Sequence, residues 1–410
     1  MKGRFVIKNI ELLSPAGSFL KLKYAIEYGA DAVYIGGSEF SLRAAAENAD
    51  ENELKNAVSY AHSKGKKVYV TTNIVARNAD IKNFDSFLKQ VINSEADAVI
   101  VTDLGLFAHI REVAPSLEIH VSTQANSLNY ESCNFFYKMG AKRIVLAREL
   151  SLEEILEIRK NTPKELELEA FVHGAMCMAY SGRCLLSDYI TDRSSNHGRC
   201  SQPCRFKYAL VEEKRTEDYM PIYEDEGGTF ILNSKDLCMI EHIDKLANAG
   251  IHSFKIEGRV KTEFYVSTVT GAYRRAIDDF QNGRVFNKNN LEEVLMASHR
   301  TYTTGFYLDE THRQIYGSAS YEQDSILIGN FIEYDKNEKL MKIQMKNKFY
   351  KGDTLELIAP NKEPISFIAD ELYDVDKNEI SMANHPMDYY YINAPLEENE
   401  FSLIRKRVSK

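Results

Sequence analysis

Five of the six cysteines in this chain fall between residues 177 and 238, close enough in sequence to build one thiol site. They are Cys177, Cys184, Cys200, Cys204 and Cys238. Thiols of a cytoplasmic protein stay reduced, which disfavours disulfides. Structural zinc uses two short cysteine pairs, and only Cys200 and Cys204 form one. Iron–sulfur clusters accept dispersed thiolates, so the spacing favours a cluster over zinc, and zinc over a catalytic thiol.

The residues around these cysteines bear on the same choice. Gly174 and Gly182 would let backbone N–H groups approach the sulfurs of a cluster. A thiol nucleophile would need a base, and His173 lies four residues before Cys177, but the sequence shows no third member of such a group. Cys133 falls in a predicted helix and is expected in the hydrophobic core.

The elements that must position these residues follow a regular alternation of strand and helix. Short apolar segments such as "DAVYIGG" and "DAVIVTD" alternate with amphipathic helices that end at glycine, and "KDLCMIEHIDKLANAG" is predicted as the seventh helix. Eight such units predict an α/β fold, a (β/α)₈ TIM-like barrel over residues 1–285. A doubly wound sheet is the alternative, but "SPAGS" after the first strand lacks the glycine-rich phosphate fingerprint.

Two further regions depart from this alternation. Residues 174–228 form a cysteine-bearing insertion after strand seven, and long loops inside a compact domain are usually functional. Residues 286–324 are a polar and aromatic connector. Residues 325–410 show alternating strands with turn signals, which predict a small C-terminal all-β barrel domain.

Polar residues follow nearly every predicted barrel strand, at the end where barrel enzymes place their chemistry. Taken singly, each is typical of a solvated strand end or a helix cap. Charged groups directly after buried strands are costly unless they are paired, so the collective pattern indicates an active site. The candidate catalytic residues are Arg43, Gln124, Arg148, Glu149, His173, Glu257 and Arg259.

Composition limits the class of protein further. The formal net charge of −9 excludes a wholly basic nucleic-acid-coating protein but leaves room for local basic patches. No apolar run reaches the roughly 18 residues that a membrane span needs. The first residues carry no signal-peptide pattern. We therefore expect a cytoplasmic protein that does not contact a membrane.

The segment "ELEAFVHGAMCMAYSGRCLLS" resembles the signature of the collagenase-like peptidase family U32. The matching positions are Glu169, Phe171, Gly174, Cys177, Gly182, Cys184 and Ser187. Blocks along the rest of the chain, among them "GADAVYIGG", "STQAN", "GRCSQPCR", "NSKDLC", "KIEGRVK" and "HRTYTTGFY", are similar to the same family. The resemblance therefore covers the whole chain.

The resemblance implies an oxygen-independent hydroxylase rather than a protease. The chain is most similar to the branch that makes 5-hydroxyuridine at the wobble position of tRNA, with prephenate as the implied hydroxyl donor. The implied ligands of a [4Fe–4S] cluster are Cys177, Cys184, Cys200 and Cys238, with Cys204 as the alternative fourth ligand. Arg43, Arg148 and Arg259 would suit such a small dicarboxylate co-substrate or an RNA phosphate.

The sequence also suggests how tRNA is held and which other functions stay open. The basic side chains of the C-terminal domain suggest phosphate contacts at Lys346, Lys348, Lys351, Arg405 and Arg407. The alternative is a structural or dimer-forming domain, which the acidic net charge favours. A peptidase is the main alternative, although no HExxH or GxSxG pattern is present. A 23S rRNA hydroxylase and a non-catalytic scaffold subunit are the others. A homo- or hetero-oligomer is compatible with each of these functions.

Overall fold

The computed structural model describes residues 7, 9–37, 40–41, 49–177, 179–206, 211–212, 215–219, 234–308, 321–393, 395 and 400–408. The strands of its first part are β1 Glu11–Ala16, β2 Ala32–Gly36, β3 Lys67–Thr72, β4 Ala98–Val101, β5 Glu118–Val121, β6 Arg143–Val145, β7 Glu167–Ala175, β8 Val211–Glu212, β9 Arg215–Tyr219, β10 Asp236–Cys238, β11 Ser253–Ile256 and β12 Tyr302–Thr303. The helices are α1 Phe19–Glu27, α2 Glu51–Ser63, α3 Asn78–Asn93, α4 Leu104–Val113, α5 Tyr130–Lys138, α6 Leu152–Lys160, α7 Leu186–Thr191, α8 Ile243–Asn248, α9 Glu263–Gln281 and α10 Asn289–Leu295.

Eight of these strands form the closed parallel barrel that the sequence predicts. From β1 to β7, each strand pairs in parallel with the next. The strand β11 closes the barrel because it pairs in parallel with both β7 and β1. Parallel neighbours need a crossover connection, which the intervening helices supply. The (β/α)₈ prediction is confirmed, and the doubly wound alternative is wrong.

Local sequence signals explain where several helices begin. Asp50 and Glu53 form a capping box at the start of α2, and Ser151 and Glu154 form one at the start of α6. The apolar faces of the helices and the outer faces of the strands meet in one large hydrophobic core. None of the helices within the described residues combines the length and apolar character that crossing a bilayer requires.

The segment after β7 differs from the sequence prediction in one element. The predicted seventh helix covers residues 236–238, but these residues form β10, and α8 begins only at Ile243. In β10, Asp236 pairs antiparallel with Ala175 and Cys238 with His173. The reason is that β7 extends past its last pair with β6, Val145 with Glu169, which leaves an edge that a passing segment can pair with. In turn, β12 pairs with β10.

The C-terminal part is an antiparallel β domain, as predicted. Its strands are β13 Ser325–Asp335, β14 Leu340–Met345, β15 Phe349–Tyr350, β16 Thr354–Ile358, β17 Ile365–Ile368, β18 Leu372–Tyr373, β19 Met382–Ala383, β20 Tyr389–Asn393 and β21 Leu403–Arg407. Seven of them form one sheet in the order β17-β16-β21-β13-β14-β20-β18. The domain has its own hydrophobic core, which includes Ile343, Met345 and Leu355.

Contacts from β21 and its neighbours attach this domain to the barrel. The Tyr28 hydroxyl donates to the carbonyl oxygens of Ile358 (3.2 Å) and Phe401 (2.9 Å). Arg405, which is fully buried, donates to both carboxylate oxygens of Glu293 on α10 at 2.7 and 2.8 Å. Arg405 is therefore enclosed in an ion pair between the domains and is not accessible to a phosphate.

An ion-pair network fills the barrel interior near the N-terminal ends of the strands. Arg143 on β6 donates to Glu11 on β1 and to Glu169 on β7, the latter at 3.1 Å. Because β7 and β11 separate β6 from β1, the contact to Glu11 crosses the interior of the barrel. Lys255 on β11 donates to the other Glu169 oxygen at 2.8 Å. Burial would raise the pKa of Glu169, but Lys255 and Arg143 hold it below its ordinary value.

Candidate active site at the barrel mouth

The C-terminal ends of the barrel strands form a polar mouth that contains most of the predicted catalytic residues. Gln124 follows β5, Arg148 and Glu149 follow β6, and Glu257 and Arg259 follow β11. Catalytic groups of barrel enzymes come from these strand ends. Arg43 lies outside the described residues. The roles assigned to these residues remain predictions, and their placement is what the structure adds.

Arg148 is the buried cation of this mouth, with 6% of its surface exposed. Its guanidinium donates to the Ala175 carbonyl and to the Ser181 hydroxyl, both at 2.8 Å, and lies 5.2 Å from the centre of the Phe171 ring. Burial would lower the pKa of Arg148, but the nearby Cys177 and the carboxylates of the mouth raise it. Within the described residues its Nε has no hydrogen-bond partner. A ligand carboxylate or phosphate would satisfy that donor.

Arg259 is held from the opposite side of the mouth and is 2% exposed. One guanidinium nitrogen donates to the hydroxyls of Ser41 and of Thr71 on β3, the latter at 2.8 Å. The strands β1 and β2 separate β11 from β3, so this contact spans the mouth. Gly258 precedes Arg259 at a φ of +157°, and a Cβ there would lie 2.6 Å from the ring of Tyr265. A glycine is therefore needed for this close approach.

Two carboxylates of the mouth differ in their surroundings. Burial raises the pKa of Glu149, and the nearby Arg148 opposes this only in part. The Oε2 atom of Glu149 is buried and has no hydrogen-bond partner among the described residues. Glu257 instead accepts a bond of 3.4 Å from the Tyr34 hydroxyl, which also donates to the Ile256 carbonyl at 2.9 Å. Burial thus favours the protonated form of Glu149.

Gln124 lies where the insertion packs against the mouth. Asn126, which has a left-handed φ of 55°, donates to the backbone carbonyls of Gln124 (2.9 Å) and Ser181 (3.1 Å). A Cβ on Gly182 would lie 2.1 Å from Gln124 Oε1. That oxygen is buried, and no described residue donates a hydrogen bond to it. The insertion therefore closes over a polar group that is ready to accept a hydrogen bond.

His173 lies apart from this group. The pairing of β7 with β11 has a bulge between Phe171 and His173, and the His173 ring lies against Tyr265, Tyr273 and Tyr302. Its Nε2 is 3.3 Å from the Tyr302 hydroxyl, and its Nδ1 is 3.4 Å from that of Tyr273. Burial lowers the pKa of His173 to about 3. The ring is thus a neutral buried group between β7 and α9, and the structure does not bring it together with the two arginines.

Sequence patterns did not single out several groups that shape the mouth. Phe171 was noted only as part of the family signature, although its ring lies beneath the Arg148 guanidinium. No sequence pattern marks Ser181, which accepts hydrogen bonds from Asn126 through its carbonyl and from Arg148 through its hydroxyl. Tyr34 is a single hydroxyl-bearing residue in the apolar strand "AVYIG", and that isolated polar group was the available signal. Contacts between distant loops leave no comparable local signal.

The clustered cysteines do not form a closed metal site in this arrangement. Cys177 and Cys200 are exposed, whereas Cys184 and Cys204 are partly buried. Cys238 is buried, its Sγ lies 3.9 Å from the Tyr273 hydroxyl, and burial raises its pKa to about 12. Among the described residues, no three Cys, His, Asp or Glu side chains are grouped to hold a metal ion. The thiols are suitable donors for a cluster, but as placed here they do not fit around one.

Comparison with known proteins identifies the family. The model of peptidase family U32 matches residues 17–316, and that of the U32 C-terminal domain matches residues 323–405. The chain belongs to peptidase family U32. The first family model covers the barrel, and the second covers the C-terminal β domain.

Several known proteins are similar to nearly the whole chain. The "tRNA hydroxylation protein P" of Escherichia coli is 39% identical, and the match covers 95% of this chain and 94% of that protein. The "tRNA hydroxylation protein P1" of Bacillus subtilis is 38% identical, covering 94% and 92%. A "Collagenase" of Porphyromonas gingivalis is 30% identical, covering 90% and 92%. Relatives named for tRNA hydroxylation and a relative named as a collagenase are thus both similar to at least 90% of the chain.

Apart from the mouth, a polar cavity of about 390 Å³ lies between the start of α3 and the cysteine-bearing insertion. Its lining contains Asp80, Ser194, His197 and Arg199. The Ser194 hydroxyl lies 3.1 Å from His197 Nδ1, and His197 Nε2 lies 3.3 Å from Asp80 Oδ2. A carboxylate only accepts hydrogen bonds, so Nε2 carries the hydrogen and Nδ1 accepts from Ser194. A serine, a histidine and a carboxylate are bonded here in the order found in a serine triad, with the roles of the two ring nitrogens exchanged.

Proposed function

We propose that this protein is an enzyme that hydroxylates tRNA, with the barrel mouth as its reaction site. The observation that carries the proposal is the set of buried polar atoms at the mouth that have no partner among the described residues, on Gln124, Arg148 and Glu149. Buried polar groups are normally satisfied, so such a set at the catalytic end of a barrel is suited to a ligand that pairs with it. Relatives named for tRNA hydroxylation over 95% of the chain supply the substrate class.

In the finer form of the proposal, the product is 5-hydroxyuridine at the wobble position and prephenate is the hydroxyl donor. Arg148 and Arg259 lie on two sides of the mouth and suit the two carboxylates of such a co-substrate. Gln124 Oε1 would accept a hydrogen bond from a ligand hydroxyl or from the N3–H of a uracil base. Glu149 would hold or take up a proton within the mouth, because burial raises its pKa.

The proposal includes a [4Fe–4S] cluster on the thiols of the insertion. Its support is the concentration of five cysteines near β7 and the resemblance noted above. Such a cluster would supply electron transfer when bound. The arrangement described would have to change around Cys238 before four thiols could meet, so no chemical step is assigned to the cluster. Protein purified without oxygen should contain iron and sulfide in equal amounts, and Cys177→Ala should lose both.

The test of the activity uses a bacterial host that lacks its own tRNA-hydroxylating enzymes. The host expresses the full chain, and nucleosides from purified tRNA and from 23S rRNA are measured by mass spectrometry. We expect 5-hydroxyuridine in tRNA and none in cells with the empty vector. A hydroxylated nucleoside that appears only in rRNA would replace tRNA by rRNA as substrate. No modified nucleoside in either RNA, with folded protein present, would contradict the hydroxylase function.

A second candidate function, hydrolysis of an ester or amide, is favoured by Ser194, His197 and Asp80. In this reaction the Ser194 oxygen would attack the acyl carbon while His197 Nδ1 takes the hydroxyl proton. Asp80 would orient the ring through Nε2, and the proton would then pass to the leaving group as the C–O or C–N bond breaks. Water would release the acyl group from Ser194 in a second step.

A fluorophosphonate probe tests this second candidate directly. We expect the probe to label Ser194 in the folded full chain and to lose that labelling in His197→Ala. Ser195→Ala is the matched control, because the Ser195 hydroxyl donates to the Cys184 carbonyl and not to a histidine. Labelling that is absent, or that persists in Ser194→Ala, would contradict the hydrolase function and leave the hydroxylase test unaffected.

A further inference from the structure

The solvent-facing side of two paired strands in the C-terminal domain carries lysine and tyrosine side chains in register. Lys342 on β14 pairs with Tyr391 on β20, and Gln344 pairs with Tyr389. The intervening residues Ile343 and Met345 are buried in the domain core. Because side chains alternate between the faces of a strand, Lys342, Gln344, Tyr389 and Tyr391 share the outer face.

Further basic and aromatic residues lie beyond the ends of these strands. Lys346 and Lys348 follow β14, Tyr350 lies on β15, and Met387 precedes β20. Lys346 Nζ lies 3.4 Å from Met387 Sδ, and Lys348 Nζ lies 4.9 Å from the centre of the Tyr350 ring. Met387 is 55% exposed and adopts a φ of 73°, which is uncommon for a residue with a long side chain. We call Lys346, Lys348, Tyr350, Met387 and Tyr389 the tyrosine–lysine surface.

Aromatic and apolar groups are unusually exposed on this surface. Tyr350 is 44% exposed and Tyr389 is 39% exposed, beside the more exposed Met387. Isolated exposed apolar residues are normal, but Met387 and Tyr389 are two residues apart and Lys346 contacts Met387, and such a local group indicates a contact surface. Tyr350 lies on the neighbouring β15, which pairs with β19. Since tyrosine combines a flat ring with a polar hydroxyl, a ring at the surface is suited to stack on a base in water.

The charges on the face are distributed unevenly. At one end Lys342 pairs with Glu333 at 2.9 Å, and Lys377 pairs with Asp335 and Glu338. At the other end, no described carboxylate forms an ion pair with Lys346 or Lys348, whose contacts are to Gln344, Met387 and the Tyr350 ring. With two lysines and one exposed carboxylate, Asp388 between Met387 and Tyr389, the tyrosine–lysine surface carries a small net positive charge in a chain whose net charge is −9.

The surface also lies away from the attachment to the barrel. Contacts between the domains come from Ile358 on β16, Phe401 and Arg405 on β21. In the sheet, β13 separates β21 from β14 and β20. The strands β14 and β20 are therefore available to a partner while the domain remains attached.

We propose that the tyrosine–lysine surface binds unpaired nucleotides of the tRNA substrate, an inference that rests on the proposed function. Bases stack on Tyr389 and Tyr350, and phosphates contact Lys346 and Lys348. Single-stranded RNA is recognised by aromatic side chains on the face of a sheet with basic groups beside them. A protein partner fits less well, because lysine is depleted from protein–protein interfaces. Of the phosphate contacts that the sequence suggested, Lys346 and Lys348 are thereby retained, and the buried Arg405 is removed.

The test measures binding of unmodified tRNA to the full-length protein by fluorescence anisotropy at several salt concentrations. Stacking of one base contributes about 1–3 kcal/mol, so Tyr389→Ala should weaken binding by roughly 5- to 150-fold, and Tyr389→Phe should restore it. The double variant Lys346→Gln/Lys348→Gln should lower the salt dependence of binding by about one to two released ions. Urea unfolding of each variant checks that the domain remains folded. We expect it to, because the substituted side chains face solvent.

Two matched controls lie on the same domain. Ile368→Ala removes an apolar side chain that is 50% exposed on β17, at the far edge of the sheet. Lys339→Gln removes a charge at the turn between β13 and β14, near the acidic end of the face. Both controls should bind tRNA with the affinity of the unaltered protein.

Each remaining outcome decides the proposal separately from the proposed function. If Tyr389→Ala and the double lysine variant bind tRNA like the unaltered protein, the surface is overturned even where 5-hydroxyuridine is formed in cells. If they leave tRNA affinity unchanged but alter the sedimentation mass, the surface holds a second copy of the chain and the proposal is also overturned. If the unaltered protein neither binds tRNA nor forms 5-hydroxyuridine, both the surface and the proposed function fail.

Discussion

The two ends of the barrel differ in whether their buried charged groups have partners. Near the N-terminal ends of the strands, Arg143 bonds three carboxylates, and Lys255 bonds one of the same group. At the C-terminal mouth, Arg148 leaves its Nε without a partner among the described residues, and Glu149 Oε2 and Gln124 Oε1 are in the same state. At one end, which we call the closed end, the charged groups are all paired, although the neighbouring His120 ring has no hydrogen-bond partner among the described residues. At the other end charged groups themselves keep unpaired atoms.

This difference indicates which end stabilises the fold and which end binds a ligand. A fully satisfied network fixes the positions of the strands that carry it, whereas unsatisfied buried groups cost stability unless a ligand completes them. Barrel enzymes divide these tasks in the same direction between their two ends. Substitutions at the closed end should therefore affect unfolding, and substitutions at the mouth should affect activity.

The largest expected effect is at the closed end. Arg143→Met leaves the Glu11 carboxylate without its main partner and the buried Glu169 with Lys255 alone, so we expect the free energy of unfolding to fall by about 3–5 kcal/mol. Urea denaturation measures it. The control is Lys142→Met, because Lys142 is 42% exposed and pairs with Glu167 at 3.3 Å, for which we expect a loss under about 1 kcal/mol. Equal losses in the two variants would contradict a closed interior network.

At the mouth, Arg148→Met should lower 5-hydroxyuridine formation by about 10²-fold, since it removes a preorganised cation from the proposed reaction site. Mass spectrometry of tRNA nucleosides measures this. Arg159→Met is the matched control, because Arg159 is equally buried but donates to the backbone carbonyls of Leu166 and Thr162, away from the mouth. Comparable losses of activity in both variants would show that a buried arginine of either kind acts only through stability.

A smaller effect is expected where the insertion meets the mouth. Gly182→Ala places a Cβ against Gln124 Oε1, so this side chain must move, and we expect activity to fall by about 10-fold. Gly65→Ala has a similar left-handed φ of +68° but meets nothing within 4 Å. Both variants should lose about 1 kcal/mol of stability through backbone strain. Unchanged activity in Gly182→Ala would remove Gln124 from the reaction site.

The smallest effect concerns the pH dependence of stability on the outer side of the closed end. Burial lowers the pKa of His252 to about 4, and its Nδ1 accepts from the Leu168 N–H at 3.2 Å. Below the ordinary value of 6.5 the unfolded chain binds a proton that the folded chain does not, so stability falls as pH falls. From pH 6.5 to 5.5 we expect a loss of about 1 kcal/mol from this residue. His252→Asn keeps an acceptor and should show a correspondingly flatter urea-unfolding profile over this range.

Much of the architecture could be predicted because its signals are local. Each strand of the barrel is a short apolar segment between polar turns, and each helix has an apolar stripe, so their order alone indicates parallel β/α units. Strand ends in a barrel converge at one mouth, which is why Arg148 and Arg259 could be placed together from their positions after two strands. Residues 236–238 were assigned to a helix because their periodicity continues that of α8, while the free edge of β7 decided otherwise.

The cysteines and His173 mark the limit of such reasoning. The spacing of the thiols predicts a common site, but whether Cys238 faces the other thiols depends on the pairing of β10 with β7, and that pairing buries it. In the same way, the position of His173 at a strand end predicts the mouth, while a bulge places the ring beside Tyr273. The ligand set and the catalytic roles therefore stay predictions.

By itself, the sequence determined the alternation of barrel strands and helices, the barrel, the separate β domain and most of the residues that reach the mouth, because these depend on periodicities of two and of 3.6 residues within short segments. The tertiary structure alone decided which charges are satisfied. Arg143 and Arg148 both belong to one short stretch around β6, yet one meets carboxylates across the barrel and the other keeps an open donor. Such contacts join residues far apart in the chain, and their geometry is fixed only when the barrel closes.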